Sequence, residues 1–174
     1  NIGIDAVIVQ DIGLICLIRK YFPDLEIHAS TQAHTHNLEQ IKVLENLGVK
    51  RVVLAREMSI DEINNLDTNM ELEIFVHGAL CISYSGECLF SSGVLGRSGN
   101  RGECAGLCRC PYNLIENNNT IIKDKYLLSP KEFNTTDYVE ELKKSKAYSF
   151  KIEGRMKSPE YVGYVTGIYR KLLD

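Results

Sequence analysis

Cysteines form the clearest chemical pattern in the sequence. Five of the six lie between positions 81 and 110, and four of these follow the spacing Cys81-x6-Cys88-x15-Cys104-x3-Cys108. In a chain without a secretion signal, clustered cysteines indicate a metal or redox site before structural disulfides. The close Cys-x2-Cys pairs of zinc ribbons are missing, whereas an iron-sulfur cluster accepts looser spacing. The spacing alone does not decide between an iron-sulfur cluster, a less favoured zinc site, free thiols and disulfides. Cys110 is an alternative to Cys108 as a ligand.

A glycine-rich stretch with two arginines lies among these cysteines. Residues 96–102 read GRSGNRG and include Arg97, Asn100 and Arg101 but no acidic residue. Backbone N–H groups and guanidinium forks in such a loop bind phosphate or carboxylate groups. The stretch matches neither a P-loop nor a dinucleotide-binding motif, and a flexible solvated turn is an equally good interpretation. We name residues 78–112 the cysteine segment and interpret it as an insertion in the fold.

The rest of the sequence alternates predicted strands and helices. Apolar, β-branched runs predict strands at residues 5–10, 25–30, 51–55, 72–76 and 148–152. Helical periodicity and capping residues predict helices at residues 11–21, about 38–48, 59–66 and about 130–144, and a last one from residue 158. The run Asn117-Asn118-Asn119 predicts the turn of a hairpin.

This alternation is typical of an α/β fold, in which helices cover a parallel sheet that is either doubly wound or a (β/α) barrel. Five strands are too few for a closed eight-stranded barrel. We therefore predict a single domain over residues 1–174, a partial TIM-like (β/α) barrel with parallel strands whose first strands are missing. A second copy of the chain would then cover the edge at residues 5–9, because a buried parallel strand has neighbours on both sides.

Polar side chains follow every predicted strand. In parallel α/β folds the C-terminal ends of the strands meet at one edge of the sheet, and ligands bind there. We predict that residues from these ends line one concave surface: Gln32, Glu57, His77, Glu153 and Arg155. Polar residues also follow strands simply because strands end in solvent, and Glu153 with Arg155 is equally well interpreted as a structural ion pair.

The composition fits one folded domain and restricts the classes of partner. Of 174 residues, 44% are hydrophobic and 25% charged, as in ordinary globular proteins. The net charge of −3 argues against general nucleic-acid binding but permits a local basic loop. No apolar run approaches the ~20 residues that span a bilayer, and the N-terminal residues do not resemble a signal peptide. We therefore predict a cytoplasmic protein without a membrane partner.

Longer motifs around the cysteines resemble peptidase family U32. They are residues 73–91 (EIFVHGALCISYSGECLFS), 96–105 (GRSGNRGECA), 128–131 (LSPK) and 151–161 (KIEGRMKSPEY). The order of the preceding strand–helix units also fits this family. The resemblance therefore covers essentially the whole chain.

The resemblance implies two kinds of activity. The family is named for collagen-degrading peptidases, while other branches take part in oxygen-independent or prephenate-dependent hydroxylation of tRNA, rRNA or ubiquinone precursors. Some branches hold an iron-sulfur cluster, and Cys81, Cys88 and Cys104 match three of its ligands. The fourth ligand is expected where this chain has Asn134, so Cys108 would take its place.

We predict that the chain contributes to the hydroxylation of tRNA uridine, with prephenate as a co-substrate implied by the resemblance. Strand ends and the arginine-containing loop would form the site. The catalytic candidates are His77, Glu57, Glu153 and Arg155, and the substrate-binding candidates are Gln32, Arg97, Asn100, Arg101 and Lys157.

Two alternatives stay open. The first is a collagenase-like peptidase acting on a peptide substrate. The sequence has no His-Glu-x-x-His motif, but His77 precedes Cys81 by four residues, so a Cys/His pair is conceivable. The second alternative is a non-enzymatic scaffold, in which the cysteines and their metal only shape a surface for a partner.

Overall fold

The computed structural model describes residues 3–154 and 157–174. Its strands, in chain order, are β1 (Ala6–Val9), β2 (Glu26–Ala29), β3 (Arg51–Val53), β4 (Glu71–Gly78), β5 (Tyr112–Glu116), β6 (Asn119–Lys125), β7 (Phe133–Asn134) and β8 (Ser149–Ile152). Its α-helices are α1 (Ile12–Tyr21), α2 (Leu38–Asn46), α3 (Ile60–Asn64), α4 (Phe90–Leu95), α5 (Val139–Lys144) and α6 (Pro159–Leu173).

The main sheet is parallel and its strands lie in chain order. β1, β2, β3, β4 and β8 are parallel neighbours in that sequence, and the short β7 pairs antiparallel with the end of β4. A doubly wound sheet would reverse its strand order, whereas the wall of a barrel does not. The α/β class is confirmed. The described strands form an open sheet in the order of a barrel wall, and coverage of β1 by a second copy stays a prediction.

Local sequence signals explain where several helices begin. The Asp11 side chain accepts a hydrogen bond from the Leu14 N–H at 2.7 Å and caps α1. Ser59 and Glu62 form a reciprocal capping box at the start of α3. Among the described residues, none of the helices is both long enough and apolar enough to cross a membrane.

The predicted hairpin turn is confirmed, but the predicted helix over residues 130–144 is wrong in its first half. Asn117 and Asn118 join β5 to β6 with φ angles of 48° and 62°, as a type I′ turn requires. Before α5, the chain instead forms β7 and a 3-10 turn at Thr136–Tyr138. The Asn134 side chain accepts from the Thr136 N–H at 3.0 Å, which favours a turn over a helix.

One face of the sheet packs against the helices. Alternate strand residues form this face, and they join buried residues of the helices in one core cluster. The strand members include Val9, Ile27, Ala29, Val52, Leu72, Ile74 and Val76, and the helix members are Ile15, Ile41, Leu44, Ile63, Val139, Leu142, Val165 and Tyr169. The period of two along each strand leaves the intervening side chains on the opposite face.

The opposite face carries a network of charges. Arg51 Nη2 lies 2.7 Å from Glu71 Oε2 and Nη1 lies 3.4 Å from Glu73 Oε2. From the other side, Lys151 Nζ lies 3.0 Å from Glu73 Oε1, and Ser149 Oγ donates to Oε2 at 3.0 Å. Half-buried ion pairs therefore connect β3, β4 and β8 on the face that a barrel would turn inward.

Glu73 predicts an acid-sensitive stability. Burial raises the pKa of Glu73, but the hydrogen bonds from Lys151 and Ser149 and the charge of Arg51 outweigh it, so the pKa lies below its usual value. A lowered folded-state pKa stabilises the fold above the unfolded value of roughly 4.3, and this stability is lost as pH falls through the folded value. We expect Glu73→Gln to lose less unfolding free energy than wild type between pH 6 and roughly pH 3.

Urea unfolding at the two pH values measures this difference. Glu116→Gln, in the exposed β5–β6 hairpin, serves as the control and should follow wild type. Parallel losses of stability in wild type and Glu73→Gln would contradict the prediction.

Candidate functional site

A cavity of about 440 Å³ lies at the C-terminal ends of the parallel strands. Its sheet side is formed by residues at or just after the ends of β2, β3, β4 and β8: Ser30, Thr31, Gln32, Arg56, Phe75, Lys151 and Glu153. The remaining wall comes from the cysteine segment. A cavity of this size fits a small-molecule ligand or a flipped-out base.

Four cysteines line this one cavity: Cys81, Cys88, Cys104 and Cys108. All six cysteines of the chain carry free thiols. Burial raises the pKa of the Cys108 thiol, the neighbouring thiols of Cys81, Cys104 and Cys88 raise it further, and the charge of Arg109 opposes them. The fold therefore gathers four thiols from a loop that spans 28 positions of sequence, from 81 to 108.

The donor chemistry of these thiols fits an iron-sulfur cluster better than a hard cation, because thiolates are soft ligands. Among the residues that the structure describes, no three or more His, Cys, Asp or Glu side chains are arranged to hold a metal ion. Asn134, at the position expected for a fourth cysteine, caps the turn that follows β7. The role of Cys108 as a ligand stays a prediction.

Two strand-end glutamines fasten the cysteine segment to the sheet. Gln32 Nε2 donates to the Gly99 carbonyl at 3.0 Å, and Gln10 Nε2 donates to the Asn100 carbonyl at 3.3 Å. The Asn100 side chain in turn donates to the Gly86 carbonyl at 3.1 Å. Gln32 thus lines the cavity as predicted, and its side-chain amide already donates a hydrogen bond to the Gly99 carbonyl.

Glu57 also forms hydrogen bonds to the cysteine segment. Its carboxylate accepts from the Ser85 N–H at 3.0 Å and from Ser85 Oγ at 3.1 Å, and Ser85 is fully buried. Glu57 does not line the cavity. Its contacts indicate a structural role and give no support to the predicted catalytic one.

His77 faces away from the cavity. The pairing of β4 with β8 shifts register between Phe75 and His77, and such a bulge turns the following side chain to the other face of a sheet. The His77 Nδ1 atom lies 3.3 Å from Tyr169 Oη, and its ring centre lies 6.3 Å from that of Tyr161. The bulge therefore removes His77 from the predicted concave surface and directs it to α6.

The remaining predicted residues are divided between the cavity and its surroundings. Glu153 lines the cavity, and Arg155 lies outside the described residues. Lys157 forms an ion pair with Glu132 near the start of α6. Arg97 and Arg101 are on the cysteine segment and do not line the cavity.

Sequence reasoning missed two side chains that shape the cavity. Arg109 Nη1 donates to the Pro130 carbonyl and Nη2 to the Leu80 carbonyl, both at 2.7 Å, so it ties the cysteine segment to the LSPK motif. Phe75 lies on the cavity side of β4. The alternation of β4 already placed Phe75 opposite the core residues Ile74 and Val76, and this signal could have identified it.

Aromatic rings lie at the mouth of the cavity. Tyr84 lines the cavity and keeps 64% of its surface exposed. The ring centre of His34 lies 5.8 Å from that of Tyr84 and 4.8 Å from that of His36. His34 has a φ of 55°, a left-handed conformation that is uncommon outside glycine and is often found at functional sites.

Comparison with known proteins identifies similar sequences. The family profile of peptidase family U32 matches residues 1–174. The chain is 42% identical over 175 residues to the 23S rRNA 5-hydroxycytidine C2501 synthase of Escherichia coli, covering 99% of this chain and 26% of that protein. It is 34% identical over 224 residues to tRNA hydroxylation protein P of the same organism, covering 100% of this chain and 49% of that protein.

A peptidase name also occurs among the similar proteins. The chain is 30% identical over 187 residues to a collagenase of Porphyromonas gingivalis, covering 98% of this chain and 44% of that protein. The solved structure of the U32 peptidase Mk0906 matches with a TM-score of 0.46 and 15% identity, over 87% of this chain and 55% of that one. The chain spans half the length or less of the curated relatives named here.

Proposed function

Since the chain belongs to peptidase family U32, we propose that it contributes to the hydroxylation of RNA, with tRNA uridine as the substrate. The names of its relatives support this proposal, because the rRNA synthase and the tRNA hydroxylation proteins both act on RNA. Because one group of relatives acts on rRNA and the other on tRNA, rRNA cytidine is the competing substrate. The proposal includes a cytoplasmic location, where these RNAs are found.

The observation that carries the proposal is the aromatic mouth of a cavity lined by thiols. Exposed aromatic side chains stack on unpaired bases, and RNA-modifying enzymes act on bases that have left the stack. Tyr84 supplies an exposed ring at the mouth. Arg97 and Arg101 lie on the same segment, and Arg101 follows Asn100, whose side chain contacts Gly86. We propose that these arginines bind RNA phosphates while Tyr84 stacks on a base.

Removal of the Tyr84 ring should weaken RNA binding. We expect Tyr84→Ala to raise the Kd for a labelled, uridine-containing single-stranded RNA by about 5- to 150-fold, the effect of losing one base–aromatic stack. Fluorescence anisotropy measures this Kd. Tyr164→Ala removes a more exposed ring from α6, where 74% of the residue is accessible, and should leave the Kd unchanged. Equal affinities of wild type and Tyr84→Ala would contradict stacking.

We propose that Cys81, Cys88, Cys104 and Cys108 hold an iron-sulfur cluster. When bound, such a cluster supplies one-electron redox chemistry next to the cavity. Burial and the neighbouring thiols raise the pKa of Cys108, and a metal binds the thiolate, so metal binding at this position would release a proton. Arg109, held by the Leu80 and Pro130 carbonyls, favours the thiolate form through its positive charge. Prephenate is the proposed co-substrate, and a zinc ion is the less favoured occupant.

Analysis of modified nucleosides tests the function directly. RNA from a strain that lacks the gene is digested and examined by mass spectrometry, with the full-length gene returned on a plasmid as the control. The proposal expects hydroxylated uridine to disappear from tRNA and to return with the plasmid. Loss of hydroxylated cytidine from rRNA would instead support the competing substrate, and unchanged nucleosides would exclude both.

A second candidate function is proteolysis. It is favoured by the 30% identity to a collagenase. The contacts of His77 with Tyr161 and Tyr169 give no support to a Cys/His pair with Cys81. Cleavage of denatured collagen by the purified protein, lost in a Cys81→Ser variant, would establish this candidate. If the protein neither hydroxylates RNA nor cleaves collagen, the non-enzymatic scaffold becomes the favoured hypothesis.

A further inference from the structure

A row of three aromatic rings runs from the mouth of the cavity along the surface of the protein. The ring centre of His34 lies 5.8 Å from that of Tyr84 and 4.8 Å from that of His36. Tyr84 and His36 are exposed, and His34 is half-buried. The two imidazoles therefore extend the aromatic surface beyond the single ring that is proposed to stack on the target base.

The turn that carries His34 and His36 is held in place by hydrogen bonds. His36 Nδ1 donates to the His34 carbonyl at 2.8 Å, and the His36 backbone N–H donates to Gln40 Oε1 at 2.9 Å. Between the two histidines, the carbonyl of the buried Thr35 accepts from the Ala55 N–H at 2.8 Å. Rings on a turn fixed in this way lose little conformational freedom when a ligand binds.

The arginine-containing loop joins the same surface. The Asn100 side chain, next to Arg101, donates to the Gly86 carbonyl at 3.1 Å. In the residue after Gly86, Glu87 Oε1 lies 3.3 Å from His34 Nδ1, which orients the imidazole ring. The proposed phosphate-binding loop and the row of rings thus form one continuous surface around the mouth of the cavity.

We propose that His34 and His36 stack on the base next to the target uridine, so that the site binds two consecutive unpaired nucleotides. The proposal rests on the proposed RNA substrate and adds a second subsite to it. A target base that leaves the stack takes a stacking partner away from its neighbour. Aromatic side chains, histidine included, replace such partners in proteins that bind single-stranded RNA. The imidazole row lies where the neighbouring base would need this support.

Variants of the exposed His36 test this stack by fluorescence anisotropy with a labelled single-stranded RNA that contains one uridine. We expect His36→Ala to raise the Kd at least about fivefold, the lower limit for one base–aromatic stack. His36→Phe keeps a ring but loses the hydrogen bond to the His34 carbonyl, and it should bind like wild type. Tyr148→Ala removes a ring that is 65% exposed, just before β8 at the opposite edge of the sheet, and should also leave the Kd unchanged.

RNAs that lack one base locate the contact. An abasic residue replaces the neighbour of the uridine on either its 5′ or its 3′ side. For one of these two RNAs, His36→Ala should bind as tightly as wild type, because the stacked base is missing from both complexes.

Three results would overturn the proposal. The first is that wild type does not bind the RNA, and the second is that His36→Ala binds the intact RNA as tightly as wild type. The third is an equal loss of affinity in His36→Ala on the intact RNA and on both abasic RNAs, which would mean that the imidazoles contact phosphates and not a base.

The binding measurements and the nucleoside analysis fail separately. Unchanged nucleosides in the strain that lacks the gene, together with the expected behaviour of the His36 variants, would exclude hydroxylation and leave a subsite for single-stranded RNA. Loss of hydroxylated uridine, together with wild-type affinity of His36→Ala, would support the proposed function and exclude the second subsite.

Discussion

A Cys81→Ser variant is expected to bind no iron after anaerobic reconstitution with ferrous iron and sulfide, whereas the wild-type chain takes up iron and gains visible absorbance. Cys81 lines the same cavity as Cys88, Cys104 and Cys108. Thiolates are the ligands of iron-sulfur clusters, and a serine hydroxyl is a poor replacement for a soft ligand. Loss of one of four ligands should therefore remove the cluster.

Further cysteine variants make this experiment specific. Cys16→Ser changes a thiol on α1, outside the cavity, and should load like wild type. Cys108→Ser and Cys110→Ser are compared because either thiol is a candidate for the fourth ligand, and we expect Cys108→Ser to lose iron. Equal iron contents in Cys81→Ser and Cys16→Ser would show that the cavity thiols are not cluster ligands.

Gly78→Ala is expected to destabilise the fold strongly. Gly78 ends β4 with a φ of 107°, and a Cβ atom there would lie 2.3 Å from the Glu153 carbonyl oxygen. Side chains disfavour this backbone conformation, and the Cβ atom would meet a backbone carbonyl, so neither atom can rotate away. Strain and overpacking together should lower the unfolding free energy by roughly 2–5 kcal/mol. Chemical denaturation followed by circular dichroism measures this loss.

Gly163→Ala is the matched control. Gly163 lies inside α6, and a Cβ atom there would meet nothing within 4 Å. Alanine favours a helix over glycine by about 1 kcal/mol, so this variant should be as stable as wild type or more so. A Gly78→Ala variant with wild-type stability would mean that β4 and β8 do not approach as closely as described.

Local pattern explains why much of the fold could be predicted. Residues Ile27 and Ala29 of β2 alternate with Glu26 and His28 and are buried on one face. Leu72, Ile74 and Val76 of β4 are buried in the same way and alternate with Glu73 and Phe75. Since a strand with this alternation has one apolar side, its place in a helix-covered sheet follows from sequence. The position of the cavity followed as well, because the C-terminal ends of parallel strands share one edge of the sheet.

The errors arose where distant contacts decide the local structure. Residues 130–138 were predicted to begin a helix, but the Thr135 N–H donates to Tyr169 Oη at 3.2 Å and Thr135 Oγ1 donates to the Val76 carbonyl at 2.9 Å. Partners 34 and 59 positions away in sequence cannot be read from a local pattern. These contacts fix Thr135 between β7 and the 3-10 turn at Thr136–Tyr138, so α5 begins only at Val139.

The roles of individual site residues were harder to predict than their locations. Gln32 was correctly expected in the concave surface, but its partner Gly99 is 67 positions away, and only the fold shows that its amide is engaged. The bulge that turns the His77 side chain away from the cavity is a property of the pairing between β4 and β8. It cannot be predicted from the residue types. Arg56 follows a predicted strand, yet its place in the cavity beside the Phe75 ring emerged only from the structure.

The way the cysteine segment is attached has a consequence for its motions. Side chains such as Gln10, Gln32 and Glu57 hold it to the sheet, and no strand pairing lies between Gly78 at the end of β4 and Tyr112 at the start of β5 in the part of the chain that the structure describes. Opening such a segment requires breaking a few hydrogen bonds and does not require separating β2, β3 and β4, so its local opening free energy lies below that of global unfolding. A partial opening of this kind exposes the half-buried Cys88 and Cys108 beside the already exposed Cys81 and Cys104, while the parallel sheet stays folded.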